Sequence, residues 1–288
     1  MKAPVDLSHS IEQLAPLPGT ASHFIEAIVE GTSSLDELLG ELRDMTALHD
    51  RVLELCNSAT YELPRKTDDI SHAVAYIGAR TVIRIAVCEI LSPYFSGTEV
   101  GGSRLALKEA WRHSVASGLA AQALAERAGV IEPDCAFVAG ACHNLGRLVQ
   151  IPRASTRIDA LRQASAQPGR DILEIEREVL GFDHAEIGER LARHWNLPLR
   201  IRTAIRHHHH PELARSDEGL SALVHVGDVL AQQMGIGLGF EGMSAMLNPA
   251  ATEPLELGQD DYDEIRLTLL DDLWRSRDLL TPTGAKES

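Results

Sequence analysis

The chain of 288 residues is 44% hydrophobic, enough to build a substantial core in one large or two small domains. Its 42 acidic and 27 basic residues leave a net charge of −15, which disfavours sequence-blind binding to nucleic acid or to an anionic membrane. No apolar run reaches the roughly 20 residues that span a bilayer, and the amino terminus lacks a basic-then-apolar leader, so a cytoplasmic protein without a membrane partner is expected.

In chain order, Leu14 to Gly19 carries two prolines and reads as an extended approach segment. Ser34-Leu35-Asp36-Glu37 has capping-box spacing, which predicts a helix from Leu35 toward Arg43. Thr46 is positioned to cap the next helix, which aligns Leu48, Val52, Leu55 and Cys56 on one face and ends at Asn57-Ser58-Ala59-Thr60. Helices over Ser71–Ile77 and Ala79–Leu91 follow, divided by Gly78 where a left-handed cap is expected. The glycine- and serine-rich Ser96–Ser103 reads as a flexible connection between two helical groups.

The second group opens with about six helical turns from Leu105 to Arg127. Trp111, Val115, Gly118 and Leu119 share one face, and His113 lies on the other among Ala106, Ala110, Ser117 and Ala121, small residues that admit a close neighbour. Phe137 to Ile151 is the longest nearly uncharged run, and Pro133 with Asp134 gives it a start signal. Apolar residues all round it predict a helix enclosed by neighbours, while Gly140 and Gly146 predict close backbone approach or a helix end. Inside it sits a polar pair, His143-Asn144. The four cysteines, Cys56, Cys88, Cys135 and Cys142, form no CxxC pair and read as reduced core thiols.

Arg153 to Arg170 reads as a polar connecting segment, and Asp171–Leu180 as a helix bearing Glu174, Glu176 and Glu178. Asp183 is a cap for a helix with His184, Ile187, Gly188, Leu191 and Trp195 at three- and four-residue steps. Asn196-Leu197-Pro198 stops it. The next helix aligns Ile201, Ile205, His208 and His209, directs His207 and His210 elsewhere, and ends at Pro211. Ser216 is placed to cap Asp217–Met234, where Leu220, Val224, Asp228 and Ala231 form one row; a carboxylate there is costly without a partner. A glycine-rich loop from Gly235 precedes a final helix from Asp260 to about Leu280, with Ile265, Leu269 and Leu273 inward, and Thr281–Ser288 should fray.

His113, His143, His184, His208, His209 and Asp228 each fall on or beside an inward face of a predicted helix or turn. Imidazoles and a carboxylate converging from several helices are what a mononuclear or dinuclear metal site requires, because neutral nitrogen and ionised oxygen ligands must be gathered and kept deprotonated. The competing reading is a set of core histidines serving packing and hydrogen bonds, in a chain with 13 of them. There is no Walker-type phosphate loop and no GxSxG elbow.

The ordered motifs resemble a family. Trp111-Arg112-His113-Ser114, Phe137-Val138-Ala139-Gly140 leading to His143-Asn144-Leu145-Gly146, Gly181-Phe182-Asp183-His184-Ala185-Glu186-Ile187-Gly188, Trp195-Asn196-Leu197-Pro198 and His208-His209-His210-Pro211 are similar to the HDOD domain, a relative of the HD metal-dependent phosphohydrolases. Leu17-Pro18, Asn57-Ser58-Ala59 and the run from Ile70 to Gly78 agree in order, so the likeness spans Leu14 to Leu230. It implies an all-α fold, with an amino-terminal helical lobe (1–100) packed on an HD-like helical lobe (101–235) and a carboxyl-terminal extension (236–288) holding a final helix.

In the catalytic relatives, the pair resembling His143-Asn144 is His-Asp, and its aspartate binds the metals. Asn144 is neutral and cannot replace a bridging carboxylate, which implies weaker metal affinity and weaker activation of water. The resemblance implies a non-catalytic output or scaffolding module of a bacterial regulatory system, with a signalling protein or a small ligand such as a nucleotide as its partner. On that reading the cofactor is at most a weakly bound divalent metal. The alternative is a metal-dependent phosphohydrolase acting on a nucleotide or cyclic dinucleotide, with the five histidines and Asp228 as ligands.

Overall fold

The computed structural model describes residues 7–96, 103–167, 169–215, 217–237 and 246–283, and every regular element among them is helical. The first group comprises α1 (Ser8–Glu12), α2 (Gly19–Glu30), α3 (Leu35–Asp44), α4 (Thr46–Cys56), α5 (Ile70–Ile77) and α6 (Ala79–Leu91). The second comprises α7 (Ser103–Ala128), α8 (Pro133–Cys142), α9 (Arg147–Ala154), α10 (Ile158–Ser165), α11 (Ile172–Leu180), α12 (His184–His194), α13 (Leu199–His207) and α14 (Glu218–Gln233). The chain closes with α15 (Pro249–Thr252) and α16 (Gln259–Arg275).

Local chemistry explains most of these boundaries. At α3 the predicted capping box forms: Glu37 N–H donates to Ser34 Oγ at 3.4 Å and Ser34 N–H donates to the Glu37 carboxylate at 2.8 Å. Asp171 and Asp183 cap α11 and α12 through their side chains. Thr46 departs from expectation. It is the first helical residue, because Met45 ends α3 and begins α4 at once and leaves no extended residue to act as a cap. Gly78 likewise serves both α5 and α6 with φ 87° and ψ 149°, a positive-φ junction outside the left-handed helical region.

Elsewhere the sequence patterns were too weak. The stretch from Arg153 holds α10, anchored by buried Leu161, and α1 precedes the proline-rich approach. The 143–146 turn divides the long uncharged run, so that α9 begins afresh at Arg147 and continues through Pro152. The final helix stops at Arg275 and passes into a 3-10 turn, Arg277–Leu279. Asn248 caps α15, in a region expected to be loop. The expectations for the 97–102 connection, for Ser216, for 238–245 and for 284–288 lie outside the described residues.

Helix α8 is the spine. Cys135 through Cys142 are all buried, and α8 contacts α2 and α6 of the amino-terminal lobe as well as α7, α13 and α14 of the HD-like lobe. The lobes are further joined by Ser22 Oγ donating to the Trp195 carbonyl at 3.0 Å and by Arg200 donating to the Val29 carbonyl at 2.9 Å. The carboxyl-terminal segment straps across both: Asp278 accepts from the hydroxyls of Ser58 and Thr60, and Trp111 Nε1–H donates to the Leu279 carbonyl at 2.8 Å.

Close backbone approach sets the geometry of the second lobe. A Cβ on Gly140 would sit 2.6 Å from Gly118 Cα, so α7 and α8 touch backbone to backbone. A Cβ on Gly227 of α14 would sit 2.7 Å from the Ser117 carbonyl oxygen of α7. Gly140→Ala should therefore destabilise the protein by about 2 kcal/mol or more through overpacking. Gly40→Ala is the internal control, because a Cβ there meets nothing within 4 Å. It should stabilise α3 by about 0.5–1 kcal/mol. Urea titrations of both variants check the pair, and equal effects would refute the contact assignment.

Candidate metal centre

Five segments deliver the polar cluster. His113 comes from the middle of α7, and His143 with Asn144 from the turn that ends α8. His184 is the first residue of α12, seated by the Asp183 cap, whose Oδ1 accepts from Glu186 N–H at 2.7 Å. His208 and His209 lie in the turn immediately after α13, one step beyond the helix predicted to carry them, and Asp228 is on α14. Two glycines make the convergence feasible. A Cβ on Gly146 would be 1.9 Å from the His184 carbonyl oxygen, so the 143–146 turn rests directly on the start of α12. Gly227 brings Asp228 down against α7 in the same way.

All six residues meet in two adjoining triads, His113–His143–Asp228 and His184–His208–His209, with the candidate ligand atoms of each within 4.8 Å of one another. The His143 and His208 rings join the triads, their centroids 5.0 Å apart. His113, His143, His184 and His208 are fully buried, whereas His209 is partly exposed.

The hydrogen bonds fix the ring tautomers. Nδ1 of His113, His143 and His208 lies 2.8, 2.6 and 2.8 Å from the carbonyl oxygens of Ile236, Gly140 and Ile205. A carbonyl only accepts, so each Nδ1 carries the hydrogen and each Nε2 turns inward. His184 Nδ1 donates to Glu176 Oε2 at 2.8 Å, a carboxylate that also accepts the His184 backbone N–H and is paired with Arg147 at 2.6 Å. The inward Nε2 atoms of His184 and His208 are 3.2 Å apart, and those of His209 and His184 are also 3.2 Å apart. Lone pairs that close repel unless a proton or a cation lies between them.

Asp228 Oδ1 is 2.8 Å from His113 Nε2 and 3.8 Å from His143 Nε2, and it accepts from Gln232 Nε2–H at 2.7 Å. Burial alone would raise this carboxyl, but the His113 hydrogen bond and the surrounding histidines hold it well below its usual range. Burial pushes the His143 imidazole down to about 3, and the nearby Asp228 charge offsets only part of that. Burial and neighbouring histidines likewise depress His208 and His209. Neutral imidazoles beside an ionised carboxylate are the protonation states a divalent cation needs from its ligands.

Asn144 sits at the join of the triads. Its Nδ2–H donates to His143 Nε2 at 2.8 Å, and its Oδ1 is buried with no hydrogen-bond partner. An orphaned carbonyl oxygen beside bare imidazole nitrogens is itself a ligand-type atom, so the donor set fits a divalent cation of the borderline class. The shortfall is in charge, since the cluster contains one carboxylate.

Several contributing residues escaped sequence reasoning. Glu176 orients His184, and the signal was its place in the row Leu173, Glu176, Leu180, a carboxylate at apolar spacing. Arg147 was the one charged residue of the uncharged run. His225 is used on both nitrogens, donating from Nδ1 to the His208 carbonyl at 2.8 Å and accepting from Asn248 N–H at 3.0 Å, so it buttresses the turn instead of serving as a ligand. A cleft of about 200 Å³ reaches the cluster at His209 and Asp228, bounded by Arg170, His210, Gln232 and Asn248 among others.

Sequence comparison places residues 14–211 in the HDOD domain model. The chain belongs to the HDOD family. An HDOD domain protein with unknown function from Geobacter sulfurreducens is 21% identical with a TM-score of 0.68, covering 95% of this chain and 93% of its own. A candidate phosphohydrolase from Shewanella amazonensis SB2B is 23% identical with a TM-score of 0.60, covering 92% of this chain and 98% of its own. At these identities the likeness establishes the shared HDOD fold. An uncharacterized protein of Treponema pallidum (strain Nichols) is 26% identical over 210 residues, which is 72% of this chain and 40% of the relative, so the chain spans about two fifths of that relative's length.

The depressed histidines make the fold acid-sensitive. Between its ordinary pKa of 6.5 and its folded value of about 3, His143 binds a proton only in the unfolded chain. Stability should therefore fall as pH drops below about 6.5, by up to about 1.4 kcal/mol per pH unit for this residue, with His208 and His209 acting in the same direction. Chemical denaturation of metal-free protein from pH 7.5 down to about pH 5 checks this, and a flat profile would refute neutral burial.

Proposed function

We propose that this HDOD chain is a non-catalytic signalling output module whose buried histidine centre holds one divalent cation. The observation that carries the reading is Asn144. Its amide donates to His143 Nε2 at the join of the triads, where the catalytic relatives implied by the motifs have an aspartate. One ionised carboxylate in the cluster offsets part of the charge of a single divalent cation and leaves a second one uncompensated. His113, His143 and Asp228 would hold the cation, and Asn144 Oδ1 would complete the shell after release of His143.

A bound cation would supply Lewis acidity to an oxygen ligand in the cleft. The residues around it favour retention over turnover. Glu176 is committed to Arg147 and His184, and Arg170 to Glu178 at 2.7 Å, which leaves those two groups poorly disposed to act as a general base or a phosphate clamp. The cleft of about 200 Å³ is smaller than the roughly 300–1,000 Å³ of ordinary small-molecule sites. Family membership supports a signalling protein as partner, and the 1–100, 101–235 and 236–288 division belongs to this same proposal.

The second reading, a metal-dependent phosphohydrolase acting on a nucleotide or cyclic dinucleotide, draws on the paired triads, whose spacing suits two ions. Calorimetric titration of apo-protein with Mn²⁺ or Zn²⁺ should give about one equivalent bound, lost in Asp228→Ala. Asn144→Asp should raise the affinity at least about tenfold by adding an anionic ligand. Nucleotides and cyclic dinucleotides with added manganese should be left intact. Turnover that disappears with chelator and with His143→Ala would overturn the non-catalytic proposal in favour of the second reading.

A further inference from the structure

Two histidines of the cluster lie in a turn, and the carboxyl-terminal extension holds that turn at both ends. His208 and His209 follow α13 and lead into the 3-10 turn Pro211–Leu213. At the start, the His208 carbonyl accepts from His225 Nδ1–H at 2.8 Å, and His225 Nε2 accepts in turn from the Asn248 backbone N–H at 3.0 Å. At the end, Asn248 Nδ2–H donates to the Glu212 carboxylate at 3.1 Å. Asn248 is also the cap of α15, its Oδ1 accepting from Ala250 N–H at 3.0 Å. A single residue outside the family-matched 14–211 thus joins α15 to both ends of the turn.

Helix α15 is four residues long, far short of the roughly 12–15 at which a helix persists alone, so it exists by virtue of its docking. It packs on α14 and on Pro211–Leu213, with Ala251 buried and Leu255 buried in the 3-10 turn that follows. So small a unit opens locally at lower cost than the long helices around it. Its position matters for access. His113, His143, His184 and His208 are fully buried, and the approach that the described residues leave to the cluster is the cleft at His209 and Asp228. Met246 and Asn248 wall that cleft.

We propose that α15 is a gate on the cation centre: docked, it clamps the His208–His209 turn and walls the cleft through Asn248, and undocked, it frees both, so that docking of the extension sets how fast the centre exchanges its cation. The inference rests on the cation-binding reading above and adds its regulation. The device is kinetic. The proposed ligands His113, His143 and Asp228 are held by Ile236, Gly140 and Gln232, none of which belongs to α15. Opening the gate therefore changes the rates of entry and exit together and leaves the affinity nearly unchanged.

Stopped-flow release of Mn²⁺ into excess chelator, read beside hydrogen exchange of the α15 amides, tests the gate in the full chain. Ala251→Glu puts a charge into the buried docking surface of α15 and should undock it. Asn248→Pro removes the N–H donated to His225, together with the side-chain bonds of Asn248, at a φ of −76° that proline accepts. Both should speed release about tenfold with unchanged far-ultraviolet circular dichroism, and Ala251→Glu should keep the Mn²⁺ dissociation constant within about threefold of wild type. Release at the wild-type rate from a chain whose α15 amides have lost protection overturns the proposal. So does a dissociation constant that rises as much as the release rate, since α15 would then be holding the ligands in place. A wild-type chain that binds no Mn²⁺ overturns the cation reading instead, and the clamp is then decided in metal-free protein. There the His208 and His209 ring nitrogen-15 resonances should shift in both variants, and unshifted rings beside an opened α15 overturn it.

Discussion

The backbone contact among α7, α8 and α14 is the constraint on which the polar centre depends. Ligands on three helices meet within hydrogen-bond distance only if the helix axes are closer than ordinary side chains permit. Gly118 against Gly140 and Gly227 against the Ser117 carbonyl remove the intervening Cβ atoms, and Gly146 does the same between the 143–146 turn and α12. Once that approach exists, His113, His143, His184 and Asp228 have little freedom. Their χ angles are confined by packing, and the histidine rings are locked further by Nδ1–H bonds to Ile236, Gly140 and Glu176.

That rigidity has an electrostatic consequence. Burial keeps the His143 and His208 imidazoles neutral because nothing solvates an added proton, and the inward nitrogens of His184, His208 and His209 lie as little as 3.2 Å apart. In metal-free protein some of this tension is relieved locally. Asn144 caps His143 Nε2, and Gln232 Nε2–H donates to Asp228 Oδ1 at 2.7 Å. Glu176 steadies His184 from behind, its own charge answered by buried Arg147. Such an arrangement is costly as a mere hydrophobic core, since apolar residues would fill the same volume without any desolvated carboxylate. A cation-binding role accounts for that cost.

Much of this was legible in the sequence, for identifiable reasons. Capping signals at Ser34 and Asp183 and apolar periodicity in α7, α14 and α16 are local properties, and the structure follows them. The inward histidines were legible because each interrupts an apolar row. Helix α10 was not, since eight residues with a single strongly buried leucine have no period to read. Glu176 was hidden among the glutamates of α11, where only its partner Arg147, 29 residues earlier, identifies it as the buried one. His225 was not singled out in the sequence, because its duty rests on a bond to Asn248, 23 residues away.

Helix α7 links the centre to the rest of the molecule. It carries His113, receives α8 and α14 on its glycine and small-residue faces, and receives α16 elsewhere. Trp111, two residues before His113, donates to the Leu279 carbonyl just past α16, while Arg127 at the far end of α7 pairs with Asp261 at the start of α16. Those two contacts fasten α16 to α7 near both of its ends. A displacement of α16 strains Trp111 and Arg127 together, and α7 cannot shift along its axis without moving His113 relative to Asp228. The family-matched centre and the carboxyl-terminal helix thus share one rigid element, which gives any event on the outer face of α16 a mechanical path to the His113–Asp228 contact.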